Sequence, residues 1–280
     1  MMDIVEIYLL VALGCSAFTM AFFWYESACG PHREYLEKVS GGRVGWWILR
    51  GILTGFGSIL LVSILYPLGF FRAFSFSKPS GEDALPPVIL VHGLYHNASA
   101  WVLYRWRLRR SGFSRISAIN YPSFGVSFGE ILERLEIFVR EVEAANPGRK
   151  PVMIGHSLGG LLCRAFADAP ENAGRIQAVV TLGAPHKGSK LAALSLGRLG
   201  RSLMFQGPLF RDLERNNAPA GSHRLAVFSP MDTMVLPFEA LKIEDTAWRM
   251  LEVEPVGHIG LLFHPATARR VVEYFLVAAK

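Results

Sequence analysis

The chain has 280 residues, 51% of them hydrophobic and only 19% charged, with a formal net charge of +6. So apolar a chain is neither disordered nor fibrous, and its mean hydropathy of +0.29 argues against a purely soluble protein. The basic balance suits an anionic membrane surface; without zinc-finger spacing, heptads or RNA-binding aromatic motifs, nucleic acid is set aside as a partner. Three cysteines, Cys15, Cys29 and Cys163, are too few and too scattered for a disulfide framework or metal cage.

The apolar excess is N-terminal. Residues 7–25 carry no charge and are fenced by Glu6 and Glu26; residues 51–71 are likewise fenced by Arg50 and Arg72. At about 1.5 Å per residue, the second run spans roughly 30 Å as a helix, the thickness of a bilayer's hydrocarbon core. Trp24, Tyr25, Trp46, Trp47, Tyr66 and Phe71 sit near the ends, where amphipathic rings favour the headgroup layer. Two transmembrane helices are expected, forming a hairpin over residues 1–72, with Gly51 and Gly55 spaced to let them approach closely. A cleaved signal peptide fits poorly, because no lysine or arginine precedes Arg33. Ala12-Leu13-Gly14-Cys15 resembles a lipoprotein cleavage box, but the apolar run continues past the cysteine. The connection carries Arg33, Lys38, Arg43 and Arg50. The positive-inside rule therefore expects a cytoplasmic connection and everything after Phe71 on the extracytoplasmic, or periplasmic, side. Residues 73–85 are polar and turn-rich and are expected to be a linker.

Beyond the linker, strand and helix patterns alternate. Short apolar runs at 87–91, 116–121, 151–154, 176–182, 224–228 and 250–253 predict strands. Helices are expected at 100–110, 128–142, 158–168 and 266–278. The second carries Phe128, Ile131, Leu135, Phe138, Val139 and Val142 at helical spacing between charged residues. Alternation of this kind implies an α/β domain with a mostly parallel sheet covered by helices on both faces, and a site at the carboxyl ends of the strands.

Gly155-His156-Ser157-Leu158-Gly159 is a G-x-S-x-G string between a predicted strand and a predicted helix. The string alone is weak; the strand-turn-helix context makes Ser157 a candidate nucleophile. A nucleophilic serine needs a base, and the base an orienting carboxylate. Of eight histidines, His258 follows a predicted strand and precedes the last helix; Asp232 follows another predicted strand. Asp168, at the end of the elbow helix, is read as capping or surface charge. The order Ser157, Asp232, His258 suits this architecture. Two backbone N–H groups must receive the developing negative charge. Leu158, after the nucleophile, and Leu94, in the turn after the first strand, are the candidates.

Together these residues resemble the α/β-hydrolase superfamily, in its lipase and esterase branch. Val-His-Gly-Leu at 91–94, Gly-His-Ser-Leu-Gly-Gly at 155–160, Thr-Leu-Gly-Ala-Pro-His-Lys-Gly-Ser at 181–189, Asp232 and Gly257-His258 stand in the lipase order. The resemblance covers residues 86–280. It implies an α/β-hydrolase fold, with Ser157 as nucleophile, Asp232 and His258 completing the triad, and the Leu94 and Leu158 amides as oxyanion hole. The paired aspartates and disulfide of calcium-dependent bacterial lipases are not identified, so no metal and no cofactor is expected. The insertion at 188–222 mixes apolar and cationic residues, which suits a lid resting on lipid or a cap packed on the domain. The expected activity is hydrolysis of a lipid or long-chain ester by a membrane-anchored serine esterase. Acyl transfer or thioester cleavage through the same triad, or an inactive membrane scaffold, are the alternatives.

Overall fold

The computed structural model describes residues 2–71, 85–215 and 222–278. The linker expected at 73–85 lies outside the described residues except for Leu85, as do residues 216–221 of the insertion.

Among the described residues six strands, β1 (Val88–Val91), β2 (Ile116–Ile119), β3 (Val152–His156), β4 (Ala178–Leu182), β5 (His223–Phe228) and β6 (Arg249–Glu252), form one sheet. Their spatial order is β2-β1-β3-β4-β5-β6, and every pair is parallel. The apolar runs named above are these strands, displaced at their ends by two residues at most. Successive side chains of a strand point to opposite faces, so each strand feeds two cores. Ile89, Val91, Met153, Val179 and Ala226 pack with Leu135, Phe138, Leu161 and Phe166. Val88, Leu90, Ile154, Val180 and Leu225 pack with Tyr104, Leu108, Val271 and Phe275.

The first core is closed by two helices of the α/β domain, Phe128–Ala145 and Leu158–Asp168, and the second by Val102–Arg110 and Pro265–Ala278. The helix Phe128–Ala145 starts with a capping box, in which the Ser127 side chain accepts from the Glu130 N–H and Glu130 accepts from the Ser127 N–H. Asp168, read from sequence as capping or surface charge, is instead buried. It pairs with Arg224 of β5, and with Arg164 at 3.3 Å, tying the elbow helix to the sheet.

The N-terminal segment forms α1 (Ile4–Ala28), α2 (His32–Ser40) and α3 (Val44–Leu65), followed by a 3-10 turn, Tyr66–Phe70. The first helix is longer than its uncharged run because Asp3 caps it and Glu6 closes the capping box. Among the described residues, two helices are long and apolar enough to cross a membrane, and most of their side chains are exposed. Their packing uses the small residues: the Ser16 hydroxyl donates to the Ile52 carbonyl at 2.8 Å, and a side chain on Gly51 or Gly55 would strike Met20 or Ser16.

The basic connection is not a plain loop. It contains α2, and Arg50 lies inside α3. Nor does it stand apart from the α/β domain. The His32 ring stacks on Phe238 with centroids 4.0 Å apart, Tyr35 donates to Glu252, and Lys190 pairs with Glu26 at 2.5 Å. Met20, Phe23, Leu36 and Val44 bury themselves against Met231 and Leu236. At the other end of α3, the Tyr66 and Gly69 carbonyls accept from Asn97 and Asn120. Both ends of this helix therefore rest on one domain. The connection expected across a bilayer from the α/β domain thus makes direct contacts with that domain.

Within residues 188–222, Leu199, Leu203, Phe210 and Leu213 are buried in the first core, while Leu194 and Leu196 are exposed. The described part of the insertion is thus a cap packed on the domain with apolar residues left at its surface.

Candidate active site

Ser157 sits between β3 and the helix Leu158–Asp168, at φ 54° and ψ −122°. Few side-chain-bearing residues adopt this backbone, which costs of order 1–3 kcal/mol and persists only where its surroundings enforce it. Here the Ser157 N–H donates to the Leu182 carbonyl at 2.9 Å, and the glycines on either side remove the obstacles. A side chain on Gly155 would collide with the Gly159 backbone, and one on Gly159 with the Val91 carbonyl. The helix must come this close to bring its N-terminus and the serine over the ends of the strands.

Asp232 lies beyond the end of β5 and is 1% exposed. Its Oδ1 accepts from the Met234 and Val235 N–H groups at 2.9 and 3.0 Å, and its Oδ2 lies 2.7 Å from His258 Nδ1. The carboxylate therefore has one oxygen fixed by backbone donors and the other presented to the imidazole. His258, beyond β6, is 4% exposed and borders the same cavity as Ser157. Gly183 completes this arrangement. It follows β4 at φ 56°, and a Cβ there would lie 3.0 Å from Asp232 Oδ2 and 3.2 Å from His258 Nδ1.

A family model for the alpha/beta hydrolase family matches residues 88–277. The chain belongs to this family. A triacylglycerol lipase of Pseudarthrobacter phenanthrenivorans is 36% identical over 115 residues, which cover 38% of this chain and 35% of the lipase. A probable esterase of Oryza sativa subsp. indica is 35% identical over 86 residues, 29% of this chain and 32% of the esterase. These matches span about a third of the length of the curated relatives. Among solved structures, the mature lipase of Bacillus licheniformis shares the fold with a TM-score of 0.60 and 16% identity, covering 73% of this chain and 97% of that one. A membrane phospholipase A shares it at 0.51 and 15%, covering 87% and 98%.

In this α/β hydrolase the turn after β1 is pinned by His92. Tyr121 N–H donates to His92 Nε2 at 3.3 Å, so the ring carries its proton on Nδ1, which donates to the Gly93 carbonyl at 2.8 Å. A carbonyl and the following N–H belong to one planar trans peptide and point in opposite directions. Holding the Gly93 carbonyl thereby sets the direction of the Leu94 N–H. Leu94 borders the cavity, and Leu158 opens the elbow helix, whose N-terminal amides favour negative charge.

His156 and His96 also belong to this neighbourhood. His156 Nε2 donates to the His258 carbonyl at 3.1 Å, and its ring centroid is 4.7 Å from that of His258. Burial, followed by the charges of His258 and His96, holds His156 well below the ordinary histidine range. Burial pushes His96 down to about 3 and His92 to about 4. These imidazoles are neutral parts of the framework. His186, outside the cavity, lies 3.2 Å from Thr181 Oγ1 and is also kept neutral by burial.

The cavity has a volume of about 560 Å³ and an apolar lining that includes Leu94, Leu191, Leu203, Met234, Val235 and Ile259. Sequence reasoning missed three other residues that border it: Val62, Ser63 and Tyr66, from the end of α3 and the 3-10 turn. No local pattern marks them, since they look like any membrane-helix residues. Gly183 was within a quoted motif, but its role depends on two residues 49 and 75 positions further along the chain.

Proposed function

We propose that this α/β hydrolase is a membrane-attached serine hydrolase of carboxylic esters, acting on acyl lipids through an acyl-enzyme on Ser157. The observation that carries the reading is the cavity that Ser157, on its positive-φ elbow, shares with His258, whose Nδ1 is bound to a buried carboxylate. Ser157 Oγ attacks the ester carbonyl while His258 Nε2 takes its proton. Asp232 holds the Nδ1–H tautomer and stabilises the imidazolium. The carbonyl oxygen, now negative, rests on the Leu94 and Leu158 amides. His258 returns the proton to the departing alkoxide, and water cleaves the acyl-enzyme by the same steps. The esterase and lipase names of its relatives agree with this chemistry.

An apolar cavity of this size suits an acyl chain, and the exposed side chains of Ile4, Val5, Leu10, Val11, Leu53 and Ile64 suit lipid. In this reading the hairpin immerses its outer face in the membrane, with α2 and the α/β domain on the same side. The test is hydrolysis of a p-nitrophenyl ester series by detergent-solubilised wild type and Ser157→Ala. Serine-dependent activity that rises with acyl length is expected. Equal rates for the two proteins would remove Ser157 from the mechanism.

A further inference from the structure

One wall of the cavity at Ser157 does not come from the α/β domain. Val62, Ser63 and Tyr66 border it beside Ser157 and His258. Their segment is clamped in place from the loops that follow β1 and β2. Asn97 Nδ2 donates to the Tyr66 carbonyl and Asn120 Nδ2 to the Gly69 carbonyl, each at 2.9 Å. Carbonyls at a helix end lack intrahelical partners, so side-chain amides from elsewhere can bind them. Asn97 is committed to this role: it is 6% exposed, and its Oδ1 accepts from the Ser99 N–H and hydroxyl. Gly69 packs so closely on Asn97 that any side chain there would collide with it. Earlier on the same helix, Leu53, Leu61 and Ile64 are exposed and apolar, whereas Val62 is half-buried. One helix thus carries a lipid-suited face and a cavity wall.

We propose that the end of α3 is a specificity-determining wall of the acyl subsite. The acyl chain of the substrate lies against Val62 and Ser63 and reaches Ser157 along α3. This rests on the ester-hydrolase reading above and deepens it, because the apolar hairpin then selects substrate as well as attaching the enzyme. A chain entering this way exchanges lipid neighbours for Val62, Leu191, Met234, Val235 and Ile259 without crossing water, which favours long acyl groups.

The experiment uses the full chain in detergent and compares kcat/KM for butyryl and palmitoyl p-nitrophenyl esters. Val62→Trp fills the wall and is expected to lower the long-to-short ratio about tenfold. Val62→Ala enlarges it and moves the ratio the opposite way. Ile64→Trp, on the exposed face, leaves the ratio at its wild-type value. A short fluorophosphonate that labels Ser157 reports that each variant is folded; if Val62→Trp does not label, Val62→Ala decides. A ratio unmoved in labelled Val62 variants of an active wild type overturns the wall and leaves the hydrolase reading standing. A wild type without Ser157-dependent hydrolysis of any ester overturns both.

Discussion

Asp232→Asn replaces one oxygen by an NH2 group, and the structure dictates which way the new amide faces. Oδ1 of Asp232 accepts from the Met234 and Val235 N–H groups. Two donors cannot face an NH2, so the asparagine keeps its carbonyl oxygen there and turns its nitrogen toward His258 Nδ1, which Oδ2 approaches at 2.7 Å. Nδ1 must then accept, and the imidazole proton moves to Nε2. In the proposed mechanism Nε2 takes the proton of Ser157, so the base would be present in the wrong tautomer. In serine hydrolase triads this defect lowers kcat about ten-thousandfold, equivalent to about 5.5 kcal/mol of transition-state stabilisation. The backbone bonds to Oδ1 survive, so the fold should persist. The assay is kcat on the best p-nitrophenyl ester for wild type and Asp232→Asn, with thermal melting of both in the same detergent. A folded variant that retains more than about a tenth of wild-type kcat would refute the tautomer argument.

Gly183→Ala puts a methyl group 3.0 Å from Asp232 Oδ2, 3.2 Å from His258 Nδ1 and 2.8 Å from Leu261, at a left-handed backbone position. The expected result is a fall in kcat of about ten- to a hundredfold from the displaced acid–base pair and a loss of roughly 1–2 kcal/mol in stability; wild-type kcat would sink this account of the glycine. The pH dependence of stability follows from the buried imidazoles. Burial lowers His32 and His92 to about 4 and His96 to about 3, and holds His156 and His186 well below 6.5. Between pH 6.5 and 5 only the unfolded chain takes up these protons, so stability is full above 6.5 and lost as pH falls. The loss is up to about 1.4 kcal/mol per pH unit for each imidazole, and identical melting temperatures at pH 7 and 5 would contradict it. For membrane placement, Glu34→Cys in α2 and Glu141→Cys in the α/β domain, each with Cys15→Ser and Cys29→Ser, should react with an impermeant maleimide from the same side of sealed vesicles. Labelling from opposite sides would contradict the proposed placement and support a hairpin that crosses the membrane.

Much of the α/β domain was legible because its signals are local. A buried parallel strand is a short apolar run, an amphipathic helix repeats every 3.6 residues, and a nucleophile elbow needs glycines two positions either side of its serine. The run Val88–Val91, the helix Leu158–Asp168 and the order Ser157, Asp232, His258 could all be read from residue types and spacing. What the sequence could not state is which distant residues meet. Asp168 looked like surface charge because nothing near it in the chain announces Arg224, 56 positions away and paired with it across the core. The connection stood out in the sequence only for its basic residues, yet its His32 and Tyr35 pack on Phe238 and Glu252. Val62 and Tyr66 had the composition of a membrane helix whether or not they bordered a cavity. Composition determined that the hairpin is apolar, because hydropathy is a property of each side chain. Which side of that hairpin stays exposed and which borders the cavity at Ser157 was decided by tertiary structure, since a contact depends on both partners and the chain specifies them far apart.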